Sequence, residues 1–498
     1  MKVIDTYNVE SEGVPATVAI IDDPHEFVRT YELRHTKIKE ATRVALTYLK
    51  EKIIESVNIK ISEIMDPRES DHIKARISAK AHELMASELG GVSREEENAL
   101  VGRLIQDMLG LGELELIIAD ENLEEIVINS CREPVWVYHK KHGWLKTNVE
   151  LASEEQIHNY ASIIGRKASR QITNLDPLMD AHLLSGDRVN ATLFPISTKG
   201  NSITIRKFAK DPWTIVSFVA NNTLSSEAAA LFWTALQYEM NILVGGGTAS
   251  GKTSLLNAIL AFTPPNQRVI SIEDTRELQL PDFLHWTPLS TRQPNPEGKG
   301  GVEMLDLMVN SLRMRPDRIV LGEIRRQREA EVLFEAMHTG HSVYSTLHAD
   351  DASQVRNRLT TPPINLPESM LGALHLIVVQ YRQRRAGVRR TFEIAEVVPS
   401  DNSVSMNILY KWDAREDKLV KVGDSLRVFS DLSMHTGLTT KEIMQDLSEK
   451  QVVIDGLISE NLAKVGDVGR VIARYYREPQ EVLAAARNGA LAKLLYVE

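Results

Sequence analysis

Residues 246–253 of this 498-residue chain read GGTASGKT and match the pattern G-x-x-x-x-G-K-[ST]. The glycines let backbone N–H groups turn toward the β- and γ-phosphates of a nucleotide, Lys252 adds a positive charge, and Thr253 offers a hydroxyl to Mg²⁺. The stretch MNILVG before the pattern predicts a strand, and TSLLNAILAF after it predicts a helix whose N-terminus faces the anion. We therefore predict a P-loop for ATP and Mg²⁺. The residues expected to contact the nucleotide are Gly246, Gly247, Thr248, Ala249, Ser250, Gly251, Lys252, Thr253 and Ser254.

Two further apolar runs end in carboxylates. VISIEDT places Glu273 and Asp274 at the end of one predicted strand, and IVLGE places Glu323 at the end of another. The carboxyl ends of parallel strands share one edge of a sheet, so both strand ends are expected beside the P-loop. At that edge a carboxylate can hold Mg²⁺ or orient the water that attacks the γ-phosphate.

The stretch HTGHSVYSTLHAD places His338, His341 and His348 around one predicted strand. Their spacing matches no common zinc pattern, and the chain has a single cysteine, so a zinc site is not predicted. We interpret His341 and His348 as side chains that hydrogen-bond near the γ-phosphate and respond to its presence. Core histidines with satisfied hydrogen bonds are the alternative.

The elements that must position these residues follow from the periodicity of the sequence. Helix- and strand-forming stretches alternate from residue 225 to about residue 380, and the strand-forming runs are apolar throughout, which predicts a largely parallel sheet covered by helices. Upstream, shorter β-like runs surround one helix, and amphipathic helices with a capping-box sequence, SREE, precede them. The predicted division is a helical region at 1–103, an α/β domain at 104–212, a P-loop domain at 213–400 and a helical region at 401–498.

The bulk composition excludes several classes of protein. A net charge of −10 argues against a protein that coats nucleic acid, and one cysteine excludes an intramolecular disulfide. The N-terminus lacks the layout of a signal peptide, and no stretch approaches the roughly 18 apolar residues of a membrane span. We therefore expect a cytoplasmic protein whose association with a membrane is peripheral.

Several motifs together resemble one family. The ordered set GGTASGKT, VISIEDT, RMRPDRIVLGEIR and TGHSVYSTLHADD resembles the type II/type IV secretion ATPase family, and DPLMDAHLLSGDRVNA is similar to that family's N-terminal domain. STLHADD and PVWVYHKKHGW are most similar to the branch that serves the archaeal archaellum and pili. The single cysteine agrees with that branch, because many bacterial members carry a four-cysteine zinc module.

The resemblance implies an α/β fold with a RecA-like ATPase domain, preceded by an α/β, PAS-like N-terminal domain and flanked by helical segments. It implies a homo-hexameric ATP hydrolase, peripheral at the inner face of the cell membrane. Through a polytopic membrane platform protein, such a motor powers assembly of a type IV pilus-like filament or an archaellum, or type II or type IV secretion.

The resemblance also implies residue roles. Glu273 matches the carboxylate that polarises the attacking water, Glu323 matches the residue that binds Mg²⁺ through water, and His341 and His348 match the histidine box. The arginines that the family brings toward the phosphates match Arg188, Arg206, Arg292 and Arg313.

Two other functions stay open from the residues alone. A RecA-like nucleic-acid motor is one, and its best support is the arginine-rich stretch YRQRRAGVRR at 381–390. The acidic total and the lack of aromatic residues between basic ones count against it, so no nucleic-acid partner is expected. The other is a scaffold that binds ATP without turnover, which needs Lys252 but no water-activating Glu273.

Overall fold

A computed structural model describes residues 1–35, 40–57, 70–88, 93–168, 170–183, 185–208, 211–294, 298–383 and 387–496. The chain folds as two compact units, Met1–Lys210 and Asp211–Glu498. Among the described residues, no helix combines the length and the apolar character needed to cross a membrane.

The described helices of the first unit are α1 (Glu40–Ser56), α2 (Ser70–Glu88), α3 (Arg94–Leu109), α4 (Leu114–Ala119) and α5 (Glu154–Lys167). Those of the second unit are α6 (Ile215–Ala220), α7 (Ser226–Gln237), α8 (Lys252–Leu260), α9 (Met304–Ser311), α10 (Gln327–His338), α11 (Ala352–Thr360), α12 (Val428–Thr436), α13 (Thr440–Ser459), α14 (Val465–Arg477) and α15 (Pro479–Arg487). Short 3₁₀ helices span Glu368–Ala373 and Leu491–Tyr496.

The strands of the first unit are β1 (Lys2–Ser11), β2 (Val14–Asp22), β3 (Thr30–His35), β4 (Leu123–Ile128), β5 (Trp136–His139), β6 (Gly143–Thr147), β7 (Leu178–His182), β8 (Arg188–Thr192) and β9 (Ser202–Arg206). Those of the second unit are β10 (Ile242–Gly246), β11 (Val269–Glu273), β12 (Trp286–Ser290), β13 (Arg318–Leu321), β14 (Ser342–Leu347), β15 (Leu376–Gln383), β16 (Val388–Pro399), β17 (Val404–Asp413) and β18 (Lys418–Lys421).

The first unit is built on one nine-stranded sheet in the order β1-β2-β3-β6-β5-β4-β9-β8-β7. All neighbours pair antiparallel except β3 and β6, which pair parallel through two residue pairs. The side-chain amide of Asn148 extends that short junction, since it donates to Leu33 O (3.0 Å) and accepts from Leu33 N (2.8 Å). Helix α5 covers the sheet with the buried residues Ile157, Ala161 and Ile164.

The first 35 residues are strands, although the predicted region 1–103 is helical by its periodicity. β1 and β2 are joined by Glu12 and Gly13, both at positive φ (52° and 75°), which is the backbone of a two-residue hairpin turn. Valine, isoleucine and threonine dominate β2, and these residue types favour strands. The helical pattern begins only at α1.

Helices α1, α2 and α3 share a small apolar cluster of their own that includes Leu49, Ile77 and Leu104. The capping box predicted at SREE is confirmed, because Ser93 Oγ accepts from Glu96 N and Glu96 Oε2 accepts from Ser93 N at the start of α3. An added Cβ at Gly102 would lie 2.0 Å from the carbonyl oxygen of Glu12, so α3 packs directly on the β1–β2 turn. The sequence HIKARISAKAHELMASEL predicts a helix that ends at Gly90-Gly91, and these two glycines lie outside the described residues.

The second unit contains the chemistry-bearing motifs. Its sheet has the order β12-β11-β13-β14-β10-β15-β16-β17-β18, with parallel pairing from β12 to β15 and antiparallel pairing from β15 to β18. Strands β10, β11, β13 and β14 are buried at every residue, as expected of strands covered on both faces. The predicted α/β class is confirmed, because the parallel strands of this sheet alternate with helices along the chain.

Alternate residues of each strand enter two separate cores. In β10, Ile242 and Val244 belong to the layer with α7, α8, α13, α14 and α15, while Leu243 belongs to the layer with α9, α10 and α11. The predicted region 401–498 begins with β17 and β18, which continue the sheet, before its helices start. The sheet thus fixes the carboxyl ends of β10, β14, β13 and β11 side by side.

Candidate nucleotide-binding site

The P-loop connects β10 to α8 and requires glycine at two of its residues. Gly246 has φ +151°, and an added Cβ would lie 2.4 Å from Ser250 Oγ and 2.6 Å from the carbonyl oxygen of Gln380. Gly251, at φ +98°, caps the N-terminus of α8 in the left-handed conformation. A side chain at Gly246 would occupy the space inside the turn, so the glycine pattern has a physical reason beyond the motif.

The Lys252 ammonium lies folded against the loop. Its Nζ donates to Gly246 O at 2.9 Å and to Gly247 O at 3.0 Å, and it lies 3.3 Å from Nδ1 of His348. Burial lowers the pKa of Lys252, and the charge of Glu323 opposes that shift. A partly desolvated cation at a helix N-terminus is suited to bind an anion.

Glu273 ends β11 and is 3% exposed. Its Oε1 accepts from the backbone N–H groups of Glu277 (2.9 Å) and Leu278 (3.2 Å), whereas its buried Oε2 has no hydrogen-bond partner among the described residues. Burial raises the pKa of Glu273 to about 7. A carboxyl group with this pKa can accept a proton near neutral pH, as a general base must.

Glu323 follows β13 and joins a chain of charged groups. Its Oε1 lies 3.1 Å from Nε2 of His348, and its Oε2 accepts from Arg325 at 2.8 and 2.7 Å. Arg325 also donates to Asp274 Oδ2 at 2.5 Å. The side chains therefore connect Lys252, His348, Glu323, Arg325 and Asp274 across four neighbouring strand ends.

His348 is the link between the lysine and the carboxylate. Burial and the charge of Lys252 lower the pKa of His348, which favours the neutral ring. A neutral ring that donates from Nε2 to Glu323 leaves Nδ1 as an acceptor for Lys252, so one tautomer satisfies both contacts.

The residues present fit a nucleotide phosphate and Mg²⁺. The Gly246 turn is too tight for a side chain, and the partly buried ammonium of Lys252 supplies the countercharge. Thr253, in the first turn of α8, and Glu323 offer the hard oxygen donors that Mg²⁺ prefers. Thr253 and Glu323 therefore stay the predicted metal ligands.

His341 lies elsewhere, which corrects its predicted place near the γ-phosphate. It precedes β14 while His348 follows it, and a six-residue strand puts about 20 Å between their positions. The His341 ring instead contacts Thr339 Oγ1 (3.2 Å) and Ala336 O (3.3 Å) at the end of α10. His341 Nδ1 thus has local partners, as in the alternative that the sequence left open, but the residue is only partly buried and not in the core.

The four arginine candidates fall in different places. Arg292 follows β12 beside the Glu273 strand and donates to Gly300 O at 2.7 Å. Arg313 follows α9 and precedes β13, so it lies toward the amino edge of the sheet and is not brought to the P-loop. Arg188 and Arg206 pair across β8 and β9 in the first unit, where Arg188 forms an ion pair with Asp180. Their roles at the phosphates stay predictions.

The sequence pattern of the family described as "Type II/IV secretion system protein" matches residues 133–397, which is more than half of the chain. The chain belongs to the type II/IV secretion system protein family. The match runs from the α/β sheet of the first unit to β16 of the second and includes the P-loop, both strand-end glutamates and His348.

Relatives of this secretion-family chain include archaeal and bacterial proteins. An uncharacterised protein of Methanocaldococcus jannaschii is 33% identical over 404 residues, covering 79% of this chain and 72% of that protein. The type IV secretion system protein PtlH of Bordetella pertussis is 31% identical over 307 residues, covering 55% of this chain and 89% of PtlH. The crystal structure of the Legionella pneumophila ATPase DotB is 20% identical, with a TM-score of 0.40 and coverage of 74% and 93% of the two chains.

The sequence assigned no role at this secretion-family site to three residues that lie there, Asp274, Arg325 and Arg389. Asp274 adjoins Glu273 in the sequence and Arg325 follows Glu323 by two residues, so their proximity to the motifs was a usable signal. Arg389 donates to the carbonyl oxygen of Ala249 in the P-loop at 3.1 Å. That contact spans 140 residues of sequence, and only the arrangement of the sheet reveals it.

Proposed function

We propose that this secretion-family protein hydrolyses ATP. One observation carries the proposal: the P-loop, His348, Glu323 and Glu273 follow four strands that are neighbours in one sheet, β10, β14, β13 and β11. This edge combines a phosphate cradle, a cation and a buried carboxyl group with a pKa of about 7. Those are the parts that phosphoryl transfer to water requires.

In the proposed reaction the loop N–H groups and Lys252 bind the β- and γ-phosphates. Mg²⁺, when bound, neutralises charge on the phosphate oxygens. Thr253 and Glu323 would hold the ion. Glu273 accepts the proton of the attacking water through Oε2, which has no hydrogen-bond partner among the described residues.

Binding of the nucleotide also reorganises the charged chain. A phosphate draws the Lys252 ammonium away from Gly246 O, Gly247 O and His348, so His348 exchanges one of its two partners. Arg325 contacts both Glu323 and Asp274, so Arg325 would keep Asp274 as a partner if Glu323 became a metal ligand. Nucleotide binding would thus change the ion pairs at this edge of the sheet, and such a change is a means to couple chemistry to movement.

We further propose that the protein acts as a homo-hexameric motor, peripheral at the inner face of the cell membrane. It would drive a type IV pilus-like filament, an archaellum or a related secretion system through a polytopic platform protein. Membership of the type II/IV secretion family, the archaeal relative and PtlH support this proposal.

The experiment is ATP turnover by the purified full chain with MgCl₂, compared with Lys252→Ala. We expect phosphate release by the unaltered protein and a loss of more than about 100-fold in the variant, because the lysine contacts the transferring group. Lys421→Ala, an exposed lysine of the same unit, is the matched control and keeps its rate. Stimulation of turnover by single-stranded DNA at moderate salt would favour the nucleic-acid motor instead.

A further inference from the structure

One residue in the middle of the P-loop has a strained backbone. Ala249 has φ +58°, in the left-handed region that glycine adopts freely and that other residues adopt at a cost. Two glycines of the loop, Gly246 and Gly251, also have positive φ. Ala249 is the one described P-loop residue that has both a Cβ and a positive φ. An interaction with the surrounding structure must therefore offset the energetic cost of the left-handed backbone conformation at Ala249.

Arg389 supplies that contact. Its Nε–H donates to the carbonyl oxygen of Ala249 at 3.1 Å, and an added Cβ at Gly251 would lie 3.9 Å from Arg389 Cδ. The Arg389 backbone is fixed in turn, because its carbonyl oxygen accepts from Thr223 Oγ1 at 3.1 Å. The arginine therefore reaches the outside of the loop from an anchored strand.

The adjacent residue, Arg390, has a different partner, so the contact with the P-loop is specific to Arg389. Arg390 is 6% exposed and donates to both carboxylate oxygens of Asp417, each at 2.6 Å. Successive residues of β16 point to opposite faces, so Arg390 fastens the strand to the β17–β18 turn while Arg389 points to the P-loop. The arginine-rich stretch that supported a nucleic-acid motor thus has two residues with intramolecular partners.

We propose that Arg389 is a positioning residue that holds Ala249 in the left-handed conformation and keeps the P-loop in its phosphate-binding shape. The inference rests on the proposed function, since it assigns Arg389 a part in nucleotide binding. In a P-loop the N–H groups converge on the phosphates, so a donor on a loop carbonyl stabilises the cradle without competing for the anion. Arg389 acts through Ala249.

Removal of the guanidinium should weaken nucleotide binding more than it slows chemistry. Arg389→Ala releases Ala249 to its preferred conformations, and we expect about tenfold weaker binding, the size of one charged hydrogen bond. The KM for ATP rises by a similar factor while kcat changes less than about twofold, because the contact is the same in the ground and transition states.

The rescue variant makes the test specific. Ala249→Gly removes the strain that Arg389 offsets, so the double variant Ala249→Gly with Arg389→Ala should bind within about twofold of Ala249→Gly alone. Arg389→Lys retains one donor and should fall between Arg389→Ala and the unaltered chain. Arg382→Ala is the matched control, since Arg382 lies opposite Arg389 in the β15–β16 register and should leave affinity unchanged.

The measurement is equilibrium titration of each full-length variant with a fluorescent ADP analogue and MgCl₂, with thermal unfolding as a check on folding. Equal affinity of Arg389→Ala and the unaltered chain overturns the inference alone. So does a double variant that stays tenfold weaker than Ala249→Gly. No binding by the unaltered chain overturns the proposed function itself, so the two failures are distinguishable.

Discussion

The parallel strands of the second unit begin at one side of the sheet, the amino edge, and end at the other, the carboxyl edge. The two edges use similar side chains in different ways. At the carboxyl edge, Lys252 and Glu323 share His348, and Glu273 keeps one buried oxygen without a partner in the described structure. At the amino edge, Arg318 is fully buried and donates to Gln267 Oε1, Leu236 O and the Tyr344 hydroxyl. The carboxyl edge holds groups that can exchange partners, whereas each guanidinium nitrogen of Arg318 already donates to a protein acceptor.

Two histidines, His375 and His348, show the same difference between the amino and carboxyl edges. His375, before β15 at the amino edge, accepts from Asn241 N at 3.1 Å, and burial lowers its pKa to about 3. His348, at the carboxyl edge, lies between a cation and an anion and is 40% exposed. The comparison teaches that the end of the strand a residue occupies, more than its type, decides whether it serves stability or chemistry.

The largest effect should come from Glu273→Gln. The amide cannot accept the proton of water, so we expect kcat to fall about 10³-fold while ATP stays bound. Single-turnover kinetics and retained nucleotide measure the two quantities. Glu239→Gln, an exposed glutamate near the amino edge, is the control and should keep its rate within twofold. Comparable losses in both variants would remove the distinction between the edges.

Arg318 should give the opposite result. Arg318→Met removes the donor from the buried Tyr344 hydroxyl and from the partly buried Gln267 Oε1, while Leu236 O keeps the Glu239 N–H, so the free energy of unfolding should fall by about 3 kcal/mol. ATP turnover per folded molecule at low temperature should stay within about twofold. Urea unfolding and activity assays on the same sample test this, and a catalytic loss at unchanged stability would contradict it.

The pH dependence sharpens the assignment of the base. Glu273 must be ionised to accept a proton, and its pKa of about 7 means that the active form is lost as pH falls below neutrality. We expect kcat/KM, which reports the pKa of the free enzyme, to be about tenfold lower at pH 6 than at its alkaline plateau. The residual activity of Glu273→Gln should lack this slope, and a slope that persists in it would assign the titration to another group.

The smallest effect should separate the two histidines of one motif. His348→Ala breaks the link between Lys252 and Glu323, and we expect about fivefold slower turnover, the size of one hydrogen bond. His341→Ala, at the other end of β14, should change turnover less than twofold. Equal effects on the ATPase rate would show that strand position does not distinguish them.

The sequence predicted the fold class because alternation and continuous apolar runs report a covered parallel sheet directly. It also predicted that Glu273 and Glu323 end strands at the edge of the sheet that carries the P-loop, since carboxyl ends of parallel strands share an edge. It could not separate His341 from His348, because the motif spans a whole strand and its two ends look alike. Arg389 and Ala249 meet only through pairing of β15 with β10 and with β16, which no local pattern records.

The strands β1, β2 and β3 make the N-terminal segment a structural part of the first unit. Asp120 is 1% exposed, and its Oδ2 accepts from the hydroxyls of Tyr7 (2.7 Å) and Tyr31 (2.8 Å). A chain shortened to begin at residue 104 would lose both hydroxyl donors to Asp120 and would leave β6 without its partner β3, as a free edge. Deletion of the first hundred residues would therefore disrupt the core of this unit, and the shortened protein would aggregate through its exposed edge strand.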